Sequence, residues 1–154
     1  MQTDSSPQEF FRMILLTVVG QAFTAAGYIL QDSPTTQAGG LFRFVKPFVD
    51  GWFGIIEFQL LAYTDTDFAP SQPSRFRVTL LRGESTTGAT SSHPNFARRD
   101  LSALVVTDFG VPILPSASHW WAYRNVTELG AALGEAGHLI VGYGVPWLAG
   151  ELQA

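Results

Sequence analysis

Two strand-like runs rich in Phe, Ile, Val and Tyr, Leu41 to Val49 and Trp52 to Tyr63, flank the dipeptide Asp50-Gly51, and no other feature of the chain constrains its fold as tightly. Asp-Gly between alternating apolar segments is the strongest short-range hairpin signal in the sequence, because both residues tolerate the positive φ of a tight reversal. The register follows from the side-chain pattern. A strict two-residue turn sets Phe44 opposite Glu57 and Phe42 opposite Gln59, mixing apolar and polar residues on both faces. A three-residue Asp50-Gly51-Trp52 loop with a glycine bulge sets Phe44 against Phe58 and Phe42 against Leu60, and this is the pairing expected. It leaves Arg43, Val45, Glu57 and Gln59 on the opposite, half-polar face, as an antiparallel sheet allows.

Arg75 to Arg82 continues the pattern, with Arg75, Arg77 and Thr79 alternating against Phe76, Val78 and Leu80 as in a half-buried strand. Tyr28 to Leu30 and Leu101 to Thr107 are expected to add strands, and Gln31 to Gly40 is a turn-rich connection. Phe68 to Ser74 holds Pro70 and Pro73 and is expected to be a loop. Gly83 to Asp100 is mostly small and polar, longer than ordinary connections, and so either mobile or functional.

Two helices bracket these strands. From Pro7 to Ala26, Phe10, Phe11, Ile14, Leu15, Val18, Val19 and Ala22 fall on one arc at helical spacing, with Ser6 as N-cap, Pro7 in the first turn and Gly27 at a left-handed C-cap position. Asn125-Val126-Thr127-Glu128 has capping-box spacing, and behind it Leu129, Ala132, Leu133, Ala136, Leu139, Ile140 and Tyr143 form a second apolar face. Gly130, Gly134 and Gly137 on its flank weaken that helix unless another backbone or a ring approaches closely. The expected class is α+β: one domain over 1–154, an antiparallel sheet of about five strands with the N-terminal and C-terminal helices packed on one face.

Composition narrows the function classes. Hydrophobic residues make up 46% of the 154 and charged residues 14%, so apolar surface is expected to meet a partner, and a homodimer through sheet or aromatic surface is the form favoured. The net charge of -4, with Arg98-Arg99 the only adjacent basic pair, argues against nucleic acid. Without cysteine there is no disulfide framework, thiolate nucleophile or cysteine-based zinc site, and a cytoplasmic location is expected. Met13 to Phe23 does not suit a signal peptide, because Asp4 and Glu9 precede it and Arg12 and Gln21 interrupt the surrounding apolar run. No apolar stretch reaches the length of a membrane span.

The first helix ending at Gly27-Tyr28, the strands Phe58-Gln59-Leu60-Leu61 and Phe76-Arg77-Val78-Thr79-Leu80, the pair Trp120-Trp121 and the ending Val145-Pro146-Trp147-Leu148 together resemble the bacterial domain-of-unknown-function family numbered 4304. The resemblance spans nearly the whole chain, although Ile29-Leu30-Gln31-Asp32 stands where that family is commonly basic. It implies a small intracellular bacterial protein with no established activity, and so supplies architecture without chemistry.

Three candidate sites remain. Arg43, Glu57, Gln59, Arg75, Arg77 and Thr79 are expected side by side on the polar sheet face, either as a shallow site for a small carboxylate or phosphate ligand or as Glu57 neutralised by neighbouring arginines. Trp52, Phe109, Trp120, Trp121, Tyr123 and Trp147 either line an apolar pocket for an aromatic ligand at one end or fill the core. His119, with Asp108 or Glu57, is the only candidate acid–base pair for a small enzyme. The histidines have no metal-ligand spacing, no cofactor motif is present, and Gly83-Glu84-Ser85-Thr86-Thr87-Gly88 lacks both the nucleophile elbow and the phosphate-loop lysine. A non-catalytic binding or protein-interaction domain is therefore the leading expectation.

Overall fold

A computed structural model describes residues 6–62, 73–87, 92–93 and 95–151. Helix α1 (Pro7–Ala25) leads into β1 (Ile29–Leu30), a short helix α2 (Pro34–Ala38), and strands β2 (Leu41–Pro47), β3 (Phe53–Leu61), β4 (Ser74–Gly83) and β5 (Ala97–Asp100). One helical turn, α3 (Leu101–Ala103), β6 (Trp121–Tyr123), α4 (Val126–Leu139) and α5 (Val145–Leu148) complete it. The sheet is antiparallel in the order β1-β2-β3-β4-β5, and β6 joins the same edge of β4 as β5, at its other end. The α+β class and the helix-covered sheet are as expected.

The expected caps hold α1. Ser6 and Glu9 form a reciprocal capping box, and Gly27 at φ 95° lets its own N–H and that of Tyr28 reach back to the carbonyls of Thr24 and Phe23. At α4 the Asn125 side chain accepts from the Glu128 N–H, while the Glu128 carboxylate takes the N–H of Arg124. Of the three flank glycines only Gly137 answers a close approach: a Cβ there would stand 2.7 Å from Val19 of α1, whereas Gly130 and Gly134 face open space.

The inner sheet face is built from even-numbered positions. Phe42, Phe44, Ile56, Phe58, Leu60, Phe76, Val78 and Leu80 are all 3% exposed or less. Phe11 of α1 packs its ring on Phe42 and Phe76 at 5.2 and 5.4 Å, and Phe23 meets Phe44 edge-on at 5.0 Å. Leu129, Leu133, Ala136 and Ile140 close the core from α4 and the wider helical turn Ile140–Gly144. From β4, Arg82 donates to the carbonyls of Trp147 and Leu148, satisfying the end of α5.

Three expectations are corrected. The hairpin register is Phe42↔Phe58 and Phe44↔Ile56, two residues from the pairing expected. Its loop runs over the five residues between Pro47 and Phe53, with a tight turn at Val49–Gly51, Asp50 at φ 62° and the Phe48 N–H donating to the Trp52 carbonyl. A slip of two keeps every side chain on its face, so alternation alone does not discriminate between the two pairings. Leu101 to Thr107 is helical: Leu101, Leu104 and Val105, at spacings of three and four, are all fully buried, and the wider turn Leu104–Asp108 follows α3. The extra strand is β5 instead, inside the polar Gly83 to Asp100 connection, of which residues 88–91 and 94 lie outside the described residues, as does most of the expected Phe68 to Ser74 loop.

The outer face is also less open than expected. Ile55 and Leu81, odd-numbered and outward, are each 1% exposed. Beyond them Gln31 donates its side-chain amide to the Thr86 carbonyl, and the Phe96 ring lies 3.2 Å from where a Gly83 Cβ would stand, so this end of the face is occupied by the chain itself. Only the other half of this face is left to a ligand.

Candidate functional site

The open half is a grid of side chains set by strand register. One row crosses four strands as Arg43, Glu57, Thr79 and Asp100, each directly opposite the next. It is internally satisfied: Arg43 Nε donates to Glu57 Oε2 at 2.7 Å and Thr79 Oγ1 to Asp100 Oδ1 at 3.3 Å. Glu57 is buried, 7% exposed, so its carboxylate depends on that guanidinium.

The next rows differ. Arg77 lies opposite Gln59 and donates its Nε to Gln59 Oε1 at 2.8 Å, and no described side chain takes its terminal amino groups. Arg75, two residues away on the same face, is opposite Ala122 of β6 and exposed. Trp120, immediately before β6, falls in line with Arg77 by continuation of that register. Both guanidinium carbons sit over its ring, 4.6 Å from the centroid for Arg75 and 4.9 Å for Arg77. The indole quadrupole attracts both cations and holds the two forks beside each other. Among the described residues no carboxylate bonds to either, so the first row sets one arginine against two acids while Arg75 and Arg77 are two cations without a bonded acid. In a chain of net charge -4 that positive charge is local.

The structure thus brings together all six residues expected on the polar face, and adds Trp120 to them. The aromatic set does not converge. Trp121 turns to the inner face, stacks on Phe76 at 5.5 Å and donates its indole N–H to Glu135 of α4 at 2.7 Å. Tyr123 is buried beside it, and burial, partly offset by a Ser74 hydrogen bond, pushes its hydroxyl up to about 12. Trp52 meets His93 at the hairpin, Phe109 meets Tyr143, and Trp147 lies under Arg82 at the end of α5. Of the two readings left open for these aromatics, the structure supports packing, in five separate places, over a common pocket.

The acid–base candidates are likewise apart. Asp108 is held bidentately by Arg99 at 2.7 and 2.8 Å, and Glu57 is committed to Arg43. His119 lies edge-on to Trp121 at 4.7 Å, with its backbone N–H on the Ser102 hydroxyl. Burial lowers its pKa, and Glu135 opposes the shift without a hydrogen bond to the ring among the described residues. No three of the described His, Asp and Glu residues gather as metal ligands would, and no described helix is long and apolar enough to cross a membrane.

A concavity of about 440 Å³ lies between α1 and α4, lined by Val18, Ala22, Phe23, Gly134, His138 and Val141. The alternation in β4 and the pair Trp120-Trp121 were both readable; what sequence could not give was the pairing of β6 with β4, which puts Trp120 beside the two arginines. No model of a known protein family, no curated protein and no solved structure matches the chain.

Proposed function

We propose that this chain is a non-catalytic binding domain that offers the open half of its outer sheet face to a ligand bearing an anionic group. The observation that carries this reading is the convergence of Arg75 and Arg77 on Trp120 with no acid bonded to either among the described residues. Guanidinium is weakly hydrated and presents its donors in a fixed fork, so an oriented, unneutralised pair favours an oxyanion. The rival enzyme reading has no comparable support, since Asp108 and Glu57 are each held by a different arginine and the His119 ring packs on Trp121 with no hydrogen bond to either acid among the described residues. The family resemblance implies no activity and leaves the weight on this geometry.

Titration with sodium sulfate, against sodium chloride at matched ionic strength, tests it by NMR. The Trp120 indole N–H and the Nε–H signals of Arg75 and Arg77 are expected to shift along a saturating curve while exposed Arg12 does not. A response that never saturates, or that spreads equally to Arg12, removes the proposal.

A further inference from the structure

Resting on that reading, we infer that the group recognised is the dianion of a phosphate monoester on a small molecule. The donor count points there. One guanidinium fork already engages both oxygens of a carboxylate and balances its single charge, so a second fork adds a charge the carboxylate does not match. Here two forks share one indole: Arg75 with no hydrogen bond to a described side chain, and Arg77 with its Nε tied to Gln59 so that only its terminal amino groups are offered. A third arginine, Arg43, stands one row away, but its charge is already answered by the Glu57 carboxylate. A phosphate monoester brings three terminal oxygens and a charge approaching -2, matching two forks in both donors and charge.

The sheet also discriminates between a small ester and a phosphorylated peptide. Peptides that dock on sheets add a strand to a free edge. The strand that carries both forks offers little free edge of its own among the described residues, because β4 pairs with β3 on one side and, over Ser74–Phe76 and Thr79–Arg82, with β6 and β5 on the other. The ligand therefore meets the face end-on, phosphate first.

Charge at the site fixes the pH dependence. The groups facing the forks are Arg43 from β2, Glu57 and Gln59 from β3, Thr79 from β4, Asp100 from β5 and Trp120 beside β6, with His119 next in the chain on the inner side. Protonating His119 adds positive charge and tightens anion binding as pH falls. A dianionic ligand does the opposite: its second proton leaves near pH 6, so binding weakens on acidification.

Calorimetric titration with methyl phosphate and with acetate at pH 7.5 and pH 5, in chloride buffer of constant ionic strength, tests the inference. Methyl phosphate is expected to bind about tenfold more tightly at pH 7.5 than at pH 5, following its dianion fraction. Acetate is expected to bind more weakly at both. Arg75→Gln and Arg77→Gln each cost about tenfold or more for methyl phosphate, while His119→Gln keeps the pH trend. Acetate binding as tightly as methyl phosphate, with no pH trend, overturns the dianion and leaves the anion-binding reading standing. Neither ligand binding removes both. A trend lost in His119→Gln, or a phosphoserine heptapeptide that outcompetes methyl phosphate, also overturns the inference. Circular dichroism on each variant separates lost binding from lost fold.

Discussion

The two faces of β3 and β4 are made from alternate residues of the same strands, yet they are held by different physics. On the inner face Phe58, Phe76, Val78 and Leu80 lie under two helices with almost no exposure, and their stabilisation is non-directional, set by apolar area removed from water. On the outer face Glu57, Gln59, Arg75, Arg77 and Thr79 are joined partner by partner, through Arg43, Asp100 and Trp120. An inner residue answers to volume; an outer one answers to who stands opposite. A site for an anion has to be of the second kind, because it needs donors that folding has not used up.

The largest expected effect sharpens this contrast on the inner side. Phe58 is fully buried and its ring lies 6.0 to 6.4 Å from those of Phe11, Phe23, Phe44 and Phe76. Phe58→Ala is expected to cost about 3–5 kcal/mol in urea unfolding, from lost transfer energy and the cavity that remains. A loss below about 1 kcal/mol would mean that the helices settle onto the sheet and the inner face is not close-packed.

One residue earlier in the same strand, the expected effect is smaller and has a different form. Glu57→Leu leaves the partly buried Arg43 guanidinium without its acceptor and is expected to cost about 1–3 kcal/mol. Adding Arg43→Leu should recover most of that loss, because replacing both partners of a buried pair by apolar groups is often neutral. Urea midpoints of the two single variants and the double variant close the cycle. If the double variant instead falls by the sum of the singles, the row is not a paired unit and the outer face behaves like the inner one.

The same contrast explains how much was legible in the sequence. Period-two alternation assigned Phe42, Phe44, Phe58, Phe76 and Val78 inward and Arg43, Glu57, Arg75 and Arg77 outward, because a face is a property of one strand. Register is a property of two strands, and Phe44 paired with Ile56 satisfies the pattern as well as Phe44 with Phe58 does. The Leu101 to Thr107 segment failed for a related reason: a short apolar run reads equally as strand or buried helix, and burial of Leu101, Leu104 and Val105 decided it. The polar constellation was visible one strand at a time. Its aromatic anchor was not, since Trp120 reaches Arg75 and Arg77 only through the pairing of a three-residue strand more than forty positions away.

The smallest expected effect lies where the inner face becomes titratable. His119 stands edge-on to Trp121, and burial lowers its pKa from the ordinary 6.5 while Glu135, which accepts the Trp121 indole N–H, pulls it back up. The unfolded chain then binds the His119 proton more readily than the folded one, so stability falls as protons are added. The contribution is complete above about pH 6.5 and is lost as pH falls through the lowered folded value. His119→Gln is expected to flatten the stability curve in that window, by less than either change above because the ring is only partly buried. Glu135→Gln should steepen it, since the opposing charge is gone while an amide oxygen still accepts from Trp121. Phe58→Ala, by contrast, should lower the whole curve without changing its shape. Should Glu135→Gln flatten the curve as well, the carboxylate rather than burial governs His119, and this edge of the inner face follows the partner-by-partner rule of the outer one.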